Sequence, residues 1–394
     1  MGLLRRLYFL RRGPRPPEYH RILLLLLLPI GDTLFTTPTI RALRRRYPDA
    51  RIDALVFPTN KGILEGNRDL DHVIVYPTRQ TWAGVWRYLQ LLGEINGRRY
   101  DLALEGSPYQ WWLVTLFGIP YKLRLRMPIP YWFLPIGDRP WSKRHAIENM
   151  ASLVAPLGLP VDTSRVIVCP TALHRAAATR FLEEQEIAPG TPLLGIHPGG
   201  EGFRGLKRWS AQGFAQVART LAARYGARVL IFGGSDELEL AREVATAIGP
   251  TAVILNGRTS LLVSTTLMER CFLFIGNDSA PLHMAAAMGA PTLGIFGPTN
   301  PTNYRPVGRH VGIVRSGLPC SPCFSFVGST TLYGGSKCQD NRCLQVLTAD
   351  QVVGAAERLL RRARHAPAVA ALHDSLNPAT VGQALAPMDP PAHG

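Results

Sequence analysis

The sequence predicts an α/β protein of two doubly wound parallel-sheet domains facing each other across a cleft. Three observations predict it. Residues 22–28 form an unbroken apolar run followed by a glycine turn at Gly31, the pattern of a strand buried on both faces of a parallel sheet. The same alternation of strand and helix restarts at LLGIH (193–197), after Pro189-Gly190. A chain of 394 residues, 46% of them apolar, is long enough to enclose two cores.

In the first half, the glycine turn leads to a helix expected to begin at Thr36-Thr37-Pro38, where small polar residues and proline suit a first turn. Strands follow at RIDALVF, 72–76 and 101–105, giving an N-terminal domain over 21–170. TALHRAAATRFLEEQE (171–186) reads as a connecting helix in a linker over 171–190. The second domain, 191–347, alternates strand 193–197, helix 210–225, strand RVLIFGG and helix 235–247. Strand AVILN, helix 259–269, strand CFLFIG, helix 280–288 and strand TLGIF complete it. A last helix, 349–364 within a segment 348–365, is basic at its end (Arg358, Arg361, Arg362, Arg364). The Ala/Pro-rich tail, 366–394, has no apolar period and is expected to be disordered. In such sheets ligands sit at the carboxyl ends of strands. Gly31-Asp32 and Asn277-Asp278-Ser279 both follow strands, which aims both at the cleft.

The net charge is +16, and residues 1–51 contribute eleven Arg against Glu18, Asp32 and Asp49. A basic arm over 1–20, mixing Leu3, Leu4, Leu7, Tyr8, Phe9 and Leu10 with arginines, leaves two readings open. It is an amphipathic segment on an anionic membrane surface, or a solvated, frayed arm. The apolar run that follows has seven residues against the ~20 needed to cross a bilayer. No small-residue cleavage site follows it, and Arg6 stands where an acylation signal needs Ser or Thr. The expected location is cytoplasmic. A nucleic-acid partner would also suit the charge, but no recognised nucleic-acid module appears, so none is expected.

Two motifs carry the chemistry. In GNDSAPLHMAAAMGAPTLGIFGP (276–298), Asp278, Ser279 and His283 cluster where a helix begins, and Pro281 suits its first turn. Free amides there and the helix dipole make an anion site, with a capped helix and a packed histidine as the alternative. In HPGGEGFRGLKRWS (197–210), Gly199 and Gly200 let backbone approach a phosphate and Lys207 supplies a point charge. Two anion sites on one sheet suggest a diphosphate, as in a nucleotide-sugar. Neither loop matches GxxxxGK[ST] or GxGxxG, which argues against ATPase and dehydrogenase chemistry.

PIGDTLFTTPTIRALRRRYPDA, HPGGEGFRGLKRW and GNDSAPLHMAAAMGAPTLGIFGPTNP, in that order, resemble the ADP-heptose:lipopolysaccharide heptosyltransferase family (glycosyltransferase family 9) over about residues 20–360. The resemblance implies the GT-B architecture, two Rossmann-like domains with the acceptor on the first and the sugar nucleotide on the second. It implies inverting transfer of heptose from ADP-heptose to a lipid-linked lipopolysaccharide inner core, at the inner face of the cytoplasmic membrane. It further implies Asp32 as general base, Lys207 at the diphosphate, and Asp278 and His283 near donor sugar and nucleotide, without a catalytic metal. The chain departs from the family where Leu27-Leu28-Pro29-Ile30 replaces small polar residues and Ala280 replaces glycine. Asp69-Leu70-Asp71 has the spacing of a metal-binding DxD but precedes a strand, and reads as surface charge.

Two alternatives to the heptosyltransferase reading follow. One is a GT-B enzyme using another nucleotide-sugar and another cell-envelope glycan. The other, from a different class, is a basic nucleic-acid-binding protein. Cys320, Cys323, Cys338 and Cys343 have nearly zinc-ribbon spacing, which leaves open a structural zinc or a set of free or redox-paired thiols. Cys169 and Cys271 are expected to be buried. Most of Trp82, Trp86, Trp111, Trp112, Tyr131, Trp132 and Phe133 are expected in the core, with PIPYWFLP (128–135) as an exposed loop.

Overall fold

A computed structural model describes residues 18–77, 82–106, 116–124, 144–200, 205–323 and 340–364. Residues 1–17 of the basic arm, the whole PIPYWFLP loop, Trp111, Trp112, Cys338 and the tail lie outside the described residues.

The first sheet holds β1 (Arg21–Leu26), β2 (Arg51–Val56), β3 (His72–Val75), β4 (Leu102–Glu105) and β5 (Tyr121–Arg124), all parallel, in the order β3-β2-β1-β4-β5. The apolar run of β1 divides between two cores because successive side chains point to opposite faces. Ile22, Leu24 and Leu26 join the cluster under α1 (Ile30–Arg46), while Leu23, Leu25 and Leu27 join Leu91 and Ile95 of α2 (Trp82–Gly97) on the other face. A third helix, α3 (Ala146–Ala151), packs against α1.

The second sheet holds β6 (Leu193–His197), β7 (Arg228–Ile231), β8 (Ala252–Ile254), β9 (Cys271–Asn277), β10 (Thr292–Ile295) and β11 (Val311–Val314). Its order is β11-β10-β9-β6-β7-β8, again all parallel. One face is covered by α5 (Ala211–Tyr225), α6 (Leu238–Ile248) and the C-terminal α9 (Ala349–Arg364). The other is covered by α7 (Leu261–Glu269) and α8 (Ala280–Ala287), whose apolar residues belong to the same cluster as the α1 side of the first sheet. The connecting helix α4 (Ala172–Glu184) lies on α7, where Arg175 pairs with Glu269 and Arg270 donates to Thr179 at 2.7 Å.

The chain order reverses between β1 and β4 in the first sheet and between β6 and β9 in the second. These are the switch points at which open α/β sheets bind ligands. The loop after β6 and the loop after β9 are therefore neighbours, although about eighty residues separate them in sequence.

α1 starts six residues earlier than the sequence suggests, at Ile30, and carries Pro38 in its interior. Proline there removes the donor that would bond Leu34 O. The Thr37 hydroxyl supplies it instead, donating to Leu34 O at 2.8 Å and accepting from the Ile167 amide at 2.9 Å. Asp69 and Asp71 hold Arg41 and Arg44 of this helix at 2.9 and 2.6 Å, which accounts for their DxD spacing structurally. Trp86, one of the aromatics of which most were expected in the core, is 65% exposed. Cys271 is buried, whereas Cys169 is only half-buried.

Candidate active site

The polar cluster after β9 does two jobs. Asn277, fully buried, holds the neighbouring loop: its Nδ2 donates to Pro198 O and Gly199 O, both at 2.9 Å. Its Oδ1 accepts from the Trp209 amide at 3.1 Å. Both of its side-chain hydrogens and its oxygen thus serve to fix Pro198, Gly199 and Trp209 against β9.

Asp278 then faces the cleft. Lys207 Nζ donates to one carboxylate oxygen at 3.0 Å, and His283 Nε2 lies 3.7 Å from the other. Burial works to raise the Asp278 pKa, but Lys207 and His283 hold it well below the usual carboxylate range. His283 is buried one turn into α8, and its Nδ1 has no hydrogen-bond partner among the described residues. Ser279 opens α8 without capping it through its side chain, donating instead to Asn277 O at 3.1 Å and meeting His197 Nδ1 at 2.9 Å.

The glycine loop does not face empty space. Glu237, in a 3-10 turn after β7, takes the Gly200 amide on Oε1 at 2.6 Å, and on Oε2 it accepts from the Gly234 amide at 3.2 Å and His197 Nε2 at 3.1 Å. A Cβ at Gly199 would stand 2.1 Å from Glu237 Oε1, and Gly200 has φ +125°, so this close approach needs both glycines. Burial opposes ionisation of Glu237, yet His197 and the two amides lower its pKa from 4.5 to about 2. Sequence reasoning missed this residue. An acidic group just beyond the second strand of a nucleotide-binding sheet was the available signal.

Asp32 comes from the opposite wall, in the first turn of α1 after β1. Burial raises its pKa from 3.8 to about 6, with His283 and Lys207 lowering it and Asp278 raising it. The walls touch beside it: a Cβ at Gly31 would lie 3.7 Å from His283 Cδ2. Phe35 meets the His283 ring edge-on at 4.8 Å. Asp32, Lys207, Asp278, Ser279, His283 and Gly200 all line one cleft of about 1360 Å³, and Gly199 lies directly behind Gly200. That volume exceeds the roughly 300–1,000 Å³ of a single small-molecule pocket, leaving space for two substrates.

The late cysteines do not build a metal centre among the described residues, where no group of three or more His, Cys, Asp or Glu side chains stands ready to hold an ion. Cys320 is exposed, Cys323 half-buried and Cys343 buried; Cys338 lies outside the described residues. The structural-zinc expectation thus has no support here.

The sequence profile of glycosyltransferase family 9 (heptosyltransferase) matches residues 112–333. The chain belongs to glycosyltransferase family 9. Within this family it is 26% identical to lipopolysaccharide heptosyltransferase 3 of Escherichia coli K12 over 351 residues, 84% of this chain and 95% of that one. Its structure resembles a glycosyl transferase family 9 protein from Veillonella parvula, with TM-score 0.72 and 25% identity over 88% of this chain and 98% of the other. It also resembles E. coli heptosyltransferase WaaC solved with ADP, with TM-score 0.62 and 18% identity over 86% and 99%. The family 9 chain is a glycosyltransferase of GT-B architecture, its two parallel sheets forming the two halves.

Proposed function

We propose that this glycosyltransferase moves a heptose from ADP-heptose to a lipid-linked lipopolysaccharide inner-core acceptor, with inversion. The observation that carries the reading is the placement of Asp32 on one wall of a cleft whose other wall presents Lys207, Asp278 and His283. Its relatives include proteins named lipopolysaccharide heptosyltransferase 2 and 3, and a neighbour of the same fold was solved with ADP.

The chemistry follows from charge. The acceptor hydroxyl oxygen attacks the anomeric carbon while the bond from that carbon to the diphosphate oxygen breaks. The diphosphate leaves with the electron pair, and Asp32 takes the hydroxyl proton. A carboxylate with a pKa near 6 is ionised at neutral pH yet a stronger base than an ordinary aspartate. Lys207, held ready by Asp278, and the cleft-facing start of α8 oppose the charge developing on the leaving group. Direct attack from the face opposite the leaving group inverts the anomeric centre. On the donor wall, Glu237 fits a ribose contact, since an acidic residue beyond the second strand of such a sheet accepts from the ribose 2′-hydroxyl. Gly199 and Gly200 then shape the loop beside it, and Ser279 stands at the diphosphate end.

Among the described residues no helix is long and apolar enough to cross a membrane. The proposed site of work is the inner face of the cytoplasmic membrane, reached by peripheral contact with its anionic surface, where a lipid-linked acceptor lies.

Purified protein offered ADP-, UDP- and GDP-sugars with truncated lipopolysaccharide cores, read by mass spectrometry, tests the reading. Heptose added from ADP-heptose alone supports it. Transfer from another donor, or tighter calorimetric binding of UDP or GDP than of ADP, refutes it.

A further inference from the structure

We infer that Asn60 is the positioning residue for Asp32, holding the base where the acceptor hydroxyl must meet it; this rests on the transfer reaction proposed above. Asn60 lies outside all three sequence motifs. It ends a short 3-10 turn, Pro58–Asn60, after β2, the strand next to β1.

The loop that carries Asp32 needs outside support. α1 begins after Pro29, which provides no side-chain cap, and none of Leu27-Leu28-Pro29-Ile30 carries a polar side chain able to provide one. Asn60, 1% exposed, supplies a brace from the neighbouring strand end. Its amide group spends one hydrogen on Leu28 O at 2.6 Å and the other on Thr33 Oγ1 at 2.7 Å. The two acceptors bracket Asp32, one four residues before it and one immediately after. Asn60 Oδ1 in turn accepts from Thr59 Oγ1 at 3.0 Å, which fixes the carboxamide's orientation. Thr33 is itself fully buried and its amide donates to Pro29 O at 3.0 Å, so the brace closes on a rigid turn. With no polar side chain in Leu27-Leu28-Pro29-Ile30, a buried asparagine from the next strand end does the holding.

Position matters steeply at such a site, where a displacement of about 1 Å costs on the order of 10²-fold in rate. Asn60→Ala removes both braces; Thr33→Val keeps the shape of residue 33 and removes only one acceptor. Two readouts on the full chain separate positioning from mere stability. The first is the titration midpoint of the Asp32 carboxylate by ¹³C NMR, assigned by the signal lost in Asp32→Asn. The second is kcat for transfer beside ADP affinity by calorimetry. In both variants the midpoint is expected to fall from about 6 toward 3.8 as the loop leaves its enclosure. kcat is expected to drop about tenfold or more while ADP affinity stays within about twofold. A midpoint that stays put in both, whether or not the melting temperature falls, overturns the inference. Thr33→Val keeps the test alive if Asn60→Ala does not fold. The NMR midpoint needs no substrate, so a wild-type protein that fails to transfer heptose would refute the proposed function while Asn60 is still judged.

Discussion

Lys207 Nζ stands 3.0 Å from Asp278 Oδ2, and both side chains are largely buried in the second-domain wall of the cleft. The pair joins two loops far apart in sequence, one after β6 and one after β9, at the point where the second sheet reverses order. Removing one member of a buried pair strands the other. Lys207→Met should therefore destabilise the fold by about 3–5 kcal/mol and weaken ADP binding at least about tenfold. Thermal unfolding and calorimetry measure the two effects. Unchanged ADP affinity would remove Lys207 from the diphosphate site.

Asp32 predicts a trade between activity and stability. Its folded pKa, about 6, lies above the 3.8 of an unperturbed aspartate, so the folded state binds the extra proton between these values. Ionising it destabilises the fold: the cost is absent below pH 3.8, grows as pH rises toward 6 and is complete above it, about 3 kcal/mol at most. Asp32→Asn is then expected to raise the melting temperature at pH 7 while abolishing transfer, with ADP affinity within about twofold. The same ionisation gives kcat/KM an acid limb near pH 6. A limb near pH 4, or retained turnover in Asp32→Asn, would count against its role as base.

Glu237 has the opposite sign. Its folded pKa, about 2, lies below the unperturbed 4.5, so its stabilisation is complete above pH 4.5 and is lost as pH falls toward 2. The gap corresponds to about 3 kcal/mol. Glu237→Gln should lower the melting temperature at pH 7 and flatten its decline below pH 4.5. If the carboxylate also receives ribose, ADP should bind about tenfold more weakly, whereas ADP and its 2′,3′-dideoxy analogue should bind the variant alike. Calorimetry with both nucleotides measures this.

Much of this architecture is legible in the sequence because it rests on local rules. The apolar run of β1, the restart at Leu193 and the helix over Ala349–Arg364 follow from periodicity and length. The loops of the cleft are legible because glycine, aspartate and histidine sit at strand ends. What escaped depends on contacts between distant segments. The early start of α1 needs Thr37 to replace the donor that Pro38 lacks, with Ile167 on the far side. Glu237 becomes part of the cleft only because His197, Gly200 and Gly234 surround its carboxylate. Asp53, in the strand-like stretch RIDALV, is fully buried and tolerated because Arg51 and Arg98 pair with it and Tyr100 donates to it. No local pattern encodes partners that arrive from 45 residues away.

The two walls are also clasped together away from the chemistry. His145, capping α3 on the first domain, donates from Nε2 to Arg305 O at 2.8 Å, and Asn303 Nδ2 on the second domain donates to Arg144 O at 2.7 Å. His145 Nδ1 accepts from the Ile147 amide at 3.2 Å, so the ring must be neutral with its proton on Nε2. Burial lowers its pKa below 6.5, the Arg305 hydrogen bond opposing this. The neutral ring is thus favoured in the fold above pH 6.5, and acid that protonates Nδ1 displaces the α3 cap while the Nε2 bond to Arg305 O persists. The His145 ring also packs on Phe35, 5.3 Å between centroids, and Phe35 on His283. Loosening the clasp therefore lets Asp32 and Lys207 drift apart while leaving the donor wall whole. The double variant His145→Ala with Asn303→Ala is expected to lower kcat about tenfold and enlarge the radius of gyration in small-angle X-ray scattering, with ADP affinity within about twofold. Equal loss of kcat and ADP affinity with no change in dimensions would assign these residues to the fold of the second domain alone.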